Sequence, residues 1–402
     1  MFGAIASGES VVRTPLRGQD CEATLHCLAQ MGLSFDWIAE TALRLRPIDQ
    51  WTQPEGPLDC GNSGTTMRLM AGLIASRPLD VTMLGDESLS RRPMKRIAEP
   101  LKRMGATIEG DTPPLHIVGG KLQGIQYDSP VASAQIKSCT LLAGLRAEGP
   151  TRVTEPELSR DHTERLLRAM GAEITTGQTA DGRSFAELQP ASNLQPFEFS
   201  VPADISSAAF LLVAGALLAG EDGVEAKDVG VNPTRIGLLH VLRSIGAEVQ
   251  VTNERTELGE PVADLRVHRA KAFQPFKVDG KLVPMLVDEI PVLAVLATQC
   301  EGTSTIRQAA ELRVKESDRI EAMSEGLRRM GAQVETFEDG MAITGPTELK
   351  GIEIDAKHDH RIAMAFAIAG LLADGQTTIS GAESILTSYP TFEEDLGRLV
   401  HV

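Results

Sequence analysis

The sequence predicts an α/β (α+β) protein of two lobes, each built from one recurring unit of helices and strands. The chain of 402 residues exceeds the length at which a single hydrophobic core usually stops growing, so two lobes are expected. Apolar residues make up 42% of the chain and aromatic residues only 4%, which is typical of aliphatic helices packed on sheets. Short strand patterns alternate with amphipathic helix patterns, which indicates strands that are connected through helices.

The first recurring element is a helix end that is followed by a strand. Its copies read LKRMGATIE, LRAMGAEIT, LRSIGAEVQ and LRRMGAQVE, with a weaker copy in LAQMGLSFD. In each copy a glycine stands where a helix C-terminus needs a left-handed residue before the chain turns into the strand. Five unrelated helix caps would explain the glycines but not the shared Leu-x-x-Met or Leu-x-x-Ile before them. The glycines are Gly32, Gly105, Gly171, Gly246 and Gly331.

The second recurring element is a helix rich in Ala and Leu that has a polar start. Its copies begin near Gly61, Ser133, Ser206, Asp288 and His360. The opening FGAIASGESVV matches the second half of this helix and its strand, so the first of six copies is expected to lack its front end. Six copies divide as three and three. The boundary is expected within FEFSVPAD, which gives lobes of residues 1–200 and 201–402.

Composition and charge exclude several classes of protein. A net charge of −16 opposes nonspecific binding to nucleic acid, and the longest apolar run is shorter than the roughly 20 residues that span a bilayer. Five scattered cysteines without a C-x-x-C motif argue against a disulfide framework or a zinc site. We therefore expect a cytoplasmic protein that binds neither membrane nor nucleic acid.

Small residues and arginines are predicted at the starts of the helices. Free N–H groups and the positive end of the helix dipole attract anions there, and arginine pairs bidentately with phosphate or carboxylate. Ordinary N-capping would explain any one Ser or Thr, and an internal salt bridge would explain any one arginine. Four arginines at positions that the dipole disfavours together indicate anionic ligands. They are Arg92, Arg160, Arg235 and Arg319.

Two charged segments at helix starts are candidates for chemistry. ELRVKESDR contains Lys315, Glu316 and Arg319, and its other interpretation is a solvated helix start that Ser317 caps. KHDHRIAM contains two histidines, but adjacent residues point in different directions, so a metal site is not predicted. The chain has no P-loop, G-x-G-x-x-G or G-x-S-x-G motif, so no nucleotide cofactor or serine nucleophile is predicted either.

Nine segments together resemble the 5-enolpyruvylshikimate-3-phosphate (EPSP) synthases over nearly the whole chain. In chain order they read LDCGNSGTTMR, GDESLSRRPMKR, ASAQIKS, SRDHTERLL, VNPTR, DEIPVLA, RVKESDR, DHRIAMAFA and TSYPTF. The resemblance implies two lobes of three βαβαββ units each, with the first unit truncated. It implies transfer of the enolpyruvyl group of phosphoenolpyruvate to the 5-hydroxyl of shikimate 3-phosphate, with release of phosphate, in the shikimate pathway of aromatic amino-acid biosynthesis. It implies a monomer without a cofactor or metal.

The resemblance also assigns roles to individual residues. Asp288 would accept the proton of the attacking hydroxyl, and Glu316 would exchange protons with the methylene carbon. The N-terminal lobe would mainly hold shikimate 3-phosphate, and the C-terminal lobe phosphoenolpyruvate and the acid–base residues. Contacts to shikimate 3-phosphate are expected from Ser133, Ala134, Gln135, Arg160, Asp288 and Lys315. Contacts to phosphoenolpyruvate are expected from Gly64, Arg92, Gln135, Arg319 and Arg361.

The sequence departs from the family pattern in two places. Family members begin their first helix with a segment such as PGDKSISHR, whose lysine touches both substrates, and that segment would lie before Met1. Thr387 stands where some members have a lysine. One alternative is therefore a form that binds the substrates but is catalytically impaired. A remote alternative is the enolpyruvyl transferase that acts on UDP-N-acetylglucosamine, although the matching segment GDESLSRRPM lacks that enzyme's cysteine.

Overall fold

The computed structural model describes residues 1–400, which fold into two compact units. Unit 1 comprises Met1–Val201 and Thr256–Glu260, and unit 2 comprises Pro202–Arg255 and the chain from Pro261 onward. Each unit has its own hydrophobic core of aliphatic side chains. Among the helices that the structure describes, none combines the length and the apolar character needed to cross a bilayer.

Unit 1 contains three consecutive copies of the repeat. The first comprises α1 (Phe2–Ile5), β1 (Ser10–Arg13), α2 (Gln19–Gln30), β2 (Ser34–Ala39) and β3 (Ala42–Arg46). The second comprises β4 (Leu58–Asp59), α3 (Gly64–Ala75), β5 (Asp80–Leu84), α4 (Lys95–Met104), β6 (Thr107–Glu109) and β7 (Leu115–Val118). The third comprises β8 (Gln126–Asp128), α5 (Ala134–Gly144), β9 (Thr151–Glu155), α6 (His162–Ala169), β10 (Ile174–Gln178) and β11 (Ser184–Leu188), and β12 (Glu198–Ser200) follows it.

Unit 2 contains the next three copies. The fourth comprises α7 (Ile205–Leu218), β13 (Val224–Gly230), α8 (Gly237–Ser244), β14 (Glu248–Glu257) and β15 (Glu260–His268). The fifth comprises β16 (Lys277–Val278), α9 (Leu282–Leu286), α10 (Ile290–Ala297), β17 (Gly302–Ile306), α11 (Arg319–Arg329), β18 (Gln333–Phe337) and β19 (Gly340–Gly345). The sixth comprises β20 (Glu353–Asp355), α12 (His360–Leu372), β21 (Thr378–Ser380) and α13 (Phe392–Val400).

The sheets repeat one strand order, which identifies the βαβαββ unit directly. The sheets β4-β5-β7-β6, β8-β9-β11-β10 and β16-β17-β19-β18 each pair their first two strands parallel and the others antiparallel. In the first copy the outer place belongs to β12, which pairs parallel to β1 with Val11 opposite Glu198. A strand that follows the third copy thus completes the sheet of the first copy.

The Ala- and Leu-rich helices form the buried layer of each unit, as the pattern predicts. Most residues of α3, α5, α7, α10 and α12 are buried. Small residues let these helices cross closely: a Cβ on Gly72 of α3 would lie 2.1 Å from the carbonyl oxygen of Cys139 in α5. Because such a clash with backbone has no easy relief, alanine is excluded at this position.

The five glycines that end the second helices of the repeats have the left-handed backbone that the sequence predicts. Their φ angles are 111° at Gly32, 112° at Gly105, 89° at Gly171, 96° at Gly246 and 103° at Gly331. Glycine adopts these angles without the steric penalty of a Cβ. The prediction of recurring helix ends is confirmed.

The predicted helix starts near the four arginines are confirmed, and Arg319 is itself the first residue of α11. Arg92, Arg160 and Arg235 precede α4, α6 and α8 by two or three residues. At Arg92 the reason is Pro93, because a residue before proline is pushed out of the helical region, and the ψ of Arg92 is 138°. The dipole argument therefore applies directly to Arg319 alone.

Candidate functional site

In unit 1 two guanidinium groups converge on the start of α3. Ser63 caps this helix by accepting a hydrogen bond from the Thr66 N–H at 3.1 Å, and Gly64 is its first residue. A Cβ added to Gly64 would lie 3.0 Å from Nη1 of Arg68 and 3.3 Å from Nη1 of Arg92. Because Gly64 has no side chain, both guanidinium groups can approach the start of α3 this closely.

Gln135, the second residue of α5, joins this group. Its Oε1 accepts a hydrogen bond from Arg68 Nη1 at 2.7 Å, and its Nε2 donates to Thr65 Oγ1 at 3.0 Å. Arg92 is buried, and its Nη2 donates to Asn62 Oδ1 at 2.7 Å. The structure thus brings together the three positions of unit 1 that are expected to contact phosphoenolpyruvate.

Arg68 belongs to this group, although the sequence analysis does not single it out. It lies within the segment GNSGTTMR, four residues after Gly64 on α3. Residues four apart lie on the same face of a helix, so this spacing is the signal that could have identified Arg68. Its Nη2 also donates to the carbonyl oxygen of Pro93 at 3.3 Å, which ties α3 to the segment that carries Arg92.

The start of α5 holds the unit 1 residues expected to contact shikimate 3-phosphate. Ser133 caps the helix and accepts a hydrogen bond from the N–H of its third residue at 3.5 Å, and Ala134 is the first residue. Arg160 is half-buried in the loop that joins β9 to α6. A hydrogen bond of 2.7 Å between Ser138 Oγ and Thr163 Oγ1 connects α5 to α6 further along.

In unit 2 a buried arginine collects three carboxylates. The Arg319 side chain is 2% exposed, and its Nη1 lies 3.2 Å from Asp288 Oδ1, its Nη2 2.5 Å from Glu316 Oε2 and its Nε 2.9 Å from Asp359 Oδ2. Burial alone would lower the pKa of Arg319, but the three carboxylates raise it above its ordinary value. The two candidate acid–base residues, Asp288 and Glu316, are therefore held on one permanently charged group.

Asp359 organises this cluster and is a second residue that the sequence analysis missed. It is fully buried, and its Oδ2 accepts a hydrogen bond from Ser317 Oγ at 2.9 Å in addition to that of Arg319. Its Oδ1 accepts the N–H of Arg361 at 2.9 Å, so Asp359 also caps α12. The predicted cap of α11, Ser317, is wrong: Asp318 caps that helix, and Ser317 instead contacts Asp359.

Arg361 packs against a third group, which surrounds the first turn of α7. Its Nη1 donates to the carbonyl oxygen of Ser206 at 2.8 Å. Arg235 donates to Ser206 Oγ at 2.5 Å and pairs with Asp204 Oδ1 at 2.7 Å, while Ser206 Oγ donates to Glu289. For Arg235 the salt-bridge interpretation is therefore the one that the structure supports.

The remaining residues of this region differ in exposure and charge. The Lys315 side chain is 26% exposed, and its Nζ lies 3.9 Å from Glu311, a distance at which a partly exposed pair contributes little to stability. His360, the first residue of α12, is more enclosed. Burial and the nearby guanidinium groups of Arg361 and Arg319 lower its pKa to about 4, so it is neutral at physiological pH.

Comparison with known proteins identifies the family. The family model for EPSP synthase (3-phosphoshikimate 1-carboxyvinyltransferase) matches residues 1–396. The chain is 46% identical to the 3-phosphoshikimate 1-carboxyvinyltransferase of Bacillus velezensis, over 99% of this chain and 93% of that protein. It is 48% identical to the protein of the same name from Desulfitobacterium hafniense, over 98% and 90%.

Solved structures agree with the family match. The EPSP synthase of Acinetobacter baumannii superposes with a TM-score of 0.86 at 44% identity, over 99% of this chain and 92% of that chain. The enolpyruvyl transferase NikO of Streptomyces tendae, at 18% identity, has a TM-score of 0.78 over 99% and 90%, which supports the fold alone. The predicted fold class is confirmed, and the chain belongs to the EPSP synthase family.

Proposed function

We propose that this chain transfers the enolpyruvyl group of phosphoenolpyruvate to the 5-hydroxyl of shikimate 3-phosphate and releases phosphate. The observation that carries the proposal is the pair of carboxylates, Asp288 and Glu316, on the buried guanidinium of Arg319. The reaction needs a base for the hydroxyl proton and an acid–base group for the methylene carbon. Asp288 takes the first role and Glu316 the second, each at a geometry fixed before substrate binds.

Phosphoenolpyruvate carries a phosphate and a carboxylate, and arginine forks match both groups. In unit 1 we assign Gly64, Arg92 and Gln135 to this ligand, because the guanidinium groups of Arg68 and Arg92 lie directly against Gly64 at the start of α3. In unit 2 we assign Arg319 and Arg361 to it. Both arginines are buried. Asp359 orients the side chain of Arg319, and the carbonyl oxygen of Ser206 orients that of Arg361, so little conformational entropy remains to be lost on binding.

We assign shikimate 3-phosphate mainly to unit 1, which contains the predicted N-terminal lobe of residues 1–200. The N–H groups at the start of α5 and the guanidinium of Arg160 suit a dianionic phosphate. The proposed contacts in this unit are Ser133, Ala134, Gln135 and Arg160. The proposed contacts in unit 2 are Asp288 and Lys315, both from the predicted C-terminal lobe of residues 201–402.

A phosphate-release assay with both substrates tests the proposed function. The wild-type chain is expected to release phosphate only when both substrates are present. Asp288→Asn and Glu316→Gln are each expected to lower kcat by at least about 100-fold, since each removes a general acid–base group. Asp339→Asn is the matched control, because Asp339 pairs with Arg307 outside the cluster. No phosphate release by the wild-type chain would overturn the proposal.

Ligand-induced thermal stabilisation separates the alternatives. Stabilisation by shikimate 3-phosphate without turnover would identify a chain that binds its substrates but is catalytically impaired. Stabilisation by UDP-N-acetylglucosamine instead would identify the other class of enolpyruvyl transferase. We further propose that the chain works as a monomer in the cytosol, where its five free cysteines stay reduced. Light scattering of the purified chain tests the monomer.

A further inference from the structure

A second buried cation lies in unit 1, behind the residues assigned to shikimate 3-phosphate. The Lys137 side chain is 2% exposed, and its Nζ lies 2.7 Å from Glu155 Oε1 and 2.8 Å from Glu164 Oε1. Both glutamate side chains are at most 2% exposed. A buried ion cluster is often no more stable than apolar side chains of the same volume, so stability alone does not explain this one.

The cluster forms several hydrogen bonds with Ser159, which lies in the loop between β9 and α6. Glu155 Oε1 accepts hydrogen bonds from the N–H and the Oγ of Ser159, both at 2.9 Å, and Glu155 Oε2 accepts from the same Oγ at 2.7 Å. Lys137 Nζ lies 3.4 Å from the carbonyl oxygen of Ser159. Backbone and side chain of Ser159 are therefore both fixed, and the next residue along the chain is Arg160.

The same cluster includes a residue of α5, the helix whose start holds the other residues assigned to shikimate 3-phosphate. Lys137 is the fourth residue of α5, and its N–H donates to the carbonyl oxygen of Ser133 at 3.1 Å. Lysine so near a helix start opposes the dipole, so this position has a specific reason to carry the charge. Lys137 thereby connects the first turn of α5 to the loop that carries Arg160.

We infer that Lys137 and Glu155 are positioning residues that hold Arg160 at a fixed place beside the start of α5, so that both meet the phosphate of shikimate 3-phosphate. This inference rests on the proposed function. Glu164, on α6, is the second carboxyl partner of Lys137 at 2.8 Å and links the cluster to the helix that follows the loop. Neither Lys137 nor Glu155 needs to touch the substrate for this role.

Steady-state kinetics of Lys137→Met and Glu155→Gln test the inference. We expect the KM for shikimate 3-phosphate to rise at least about tenfold, while the KM for phosphoenolpyruvate changes less than about twofold. Ser138→Ala is the matched control, because Ser138 is also buried on α5 and bonds α6 through Thr163. It is expected to change stability and leave both KM values in place. Equal rises of both KM values in the two test variants would overturn the inference.

A double-mutant cycle with Arg160→Met shows whether the effect passes through that arginine. If it does, adding Glu155→Gln to Arg160→Met raises the KM for shikimate 3-phosphate by less than about twofold. Full additivity would overturn the inference. Ser159→Ala provides a milder perturbation if Lys137→Met does not fold. Failure of the proposed function itself is distinguishable, because the wild-type chain would then show no turnover with either substrate varied.

Discussion

Each unit contains a buried cation surrounded by carboxylates, but the two clusters have different proposed roles. Lys137 and Arg319 are both 2% exposed, and each is surrounded by carboxylates within 3.2 Å. The partners of Lys137 lie behind the ligand residues and hold a loop. Two of the three partners of Arg319 are themselves the proposed acid–base residues. A buried ion cluster can thus fix the frame of a site or form the site itself.

The different geometries of the ammonium and guanidinium groups suit these two roles. The ammonium of Lys137 is a point charge, and the glutamate oxygens and the Ser159 carbonyl all approach the single Nζ. The guanidinium of Arg319 presents separate nitrogen atoms to Asp288, Glu316 and Asp359. A planar fork of this kind fixes the directions of its partners as well as their charge, which an ammonium cannot do.

The largest expected effect comes from replacing the guanidinium group of Arg319 in unit 2. Arg319→Lys keeps the charge but cannot hold three carboxylates, and we expect kcat/KM to fall by at least about 1,000-fold, or about 4 kcal/mol. Arg319→Met leaves the carboxylates buried together and should lower the free energy of unfolding by about 3–5 kcal/mol. Phosphate release and urea titration measure the two effects. Near wild-type activity of Arg319→Lys would contradict the claim that the guanidinium geometry, and not only its charge, is required.

A smaller effect on stability is expected in unit 1. Lys137→Met leaves Glu155 and Glu164 buried without their cation and should lower the free energy of unfolding by about 3 kcal/mol. Adding Glu155→Met removes one of the two buried carboxyl groups, and about 1 kcal/mol should return, because apolar replacements of buried ionic groups are often tolerated. The KM for shikimate 3-phosphate should stay high in the double variant. Urea titration and kinetics of the same preparations separate stability from positioning.

The repeat could be read from the sequence because its signals are local. Gly246 and its equivalents mark helix ends, because glycine adopts the left-handed backbone there without strain. The high content of Ala and Leu in the other helices predicts that those helices are buried. Completion of the first sheet by β12 could not be predicted. Val11 and Glu198 are paired across most of the N-terminal half of the chain, and nothing in either segment specifies the other.

The family resemblance names individual site residues, but the residue patterns alone predict only residue types and not which side chains meet. Arg319 and Arg235 look alike in sequence, yet one collects the candidate acid–base residues and the other pairs internally with Asp204. The difference depends on side chains from other repeats, such as Asp359, that a single sequence does not place nearby. Lys137 gave no signal at all, because a lysine in a helix is ordinarily taken as solvated.

A change at Gly64 tests the arginines at the start of α3, in contrast to the buried cations Lys137 and Arg319. In Gly64→Ala the new Cβ would meet Arg68 and Arg92 at 3.0 and 3.3 Å, so both flexible side chains must shift by a few tenths of an ångström. We expect the KM for phosphoenolpyruvate to rise about tenfold, or about 1.4 kcal/mol, with little change for shikimate 3-phosphate. Equal changes for both substrates would indicate a general effect on folding.

The last expected effect is on stability alone and concerns pH and the positive charge around Arg319. His360 has a folded-state pKa of about 4, below the ordinary 6.5, so between these pH values the unfolded chain binds a proton that the native chain does not. The wild-type chain should therefore lose stability as the pH falls through this window. Relative to His360→Asn, which removes the titration, we expect a loss of about 2 kcal/mol between pH 7 and pH 5. Urea titrations of both chains at the two pH values measure it, and other titrating groups cancel in the difference. Parallel pH dependence of the two chains would mean that His360 titrates normally, and that the guanidinium groups of Arg319 and Arg361 are too well neutralised by their carboxylates to influence it.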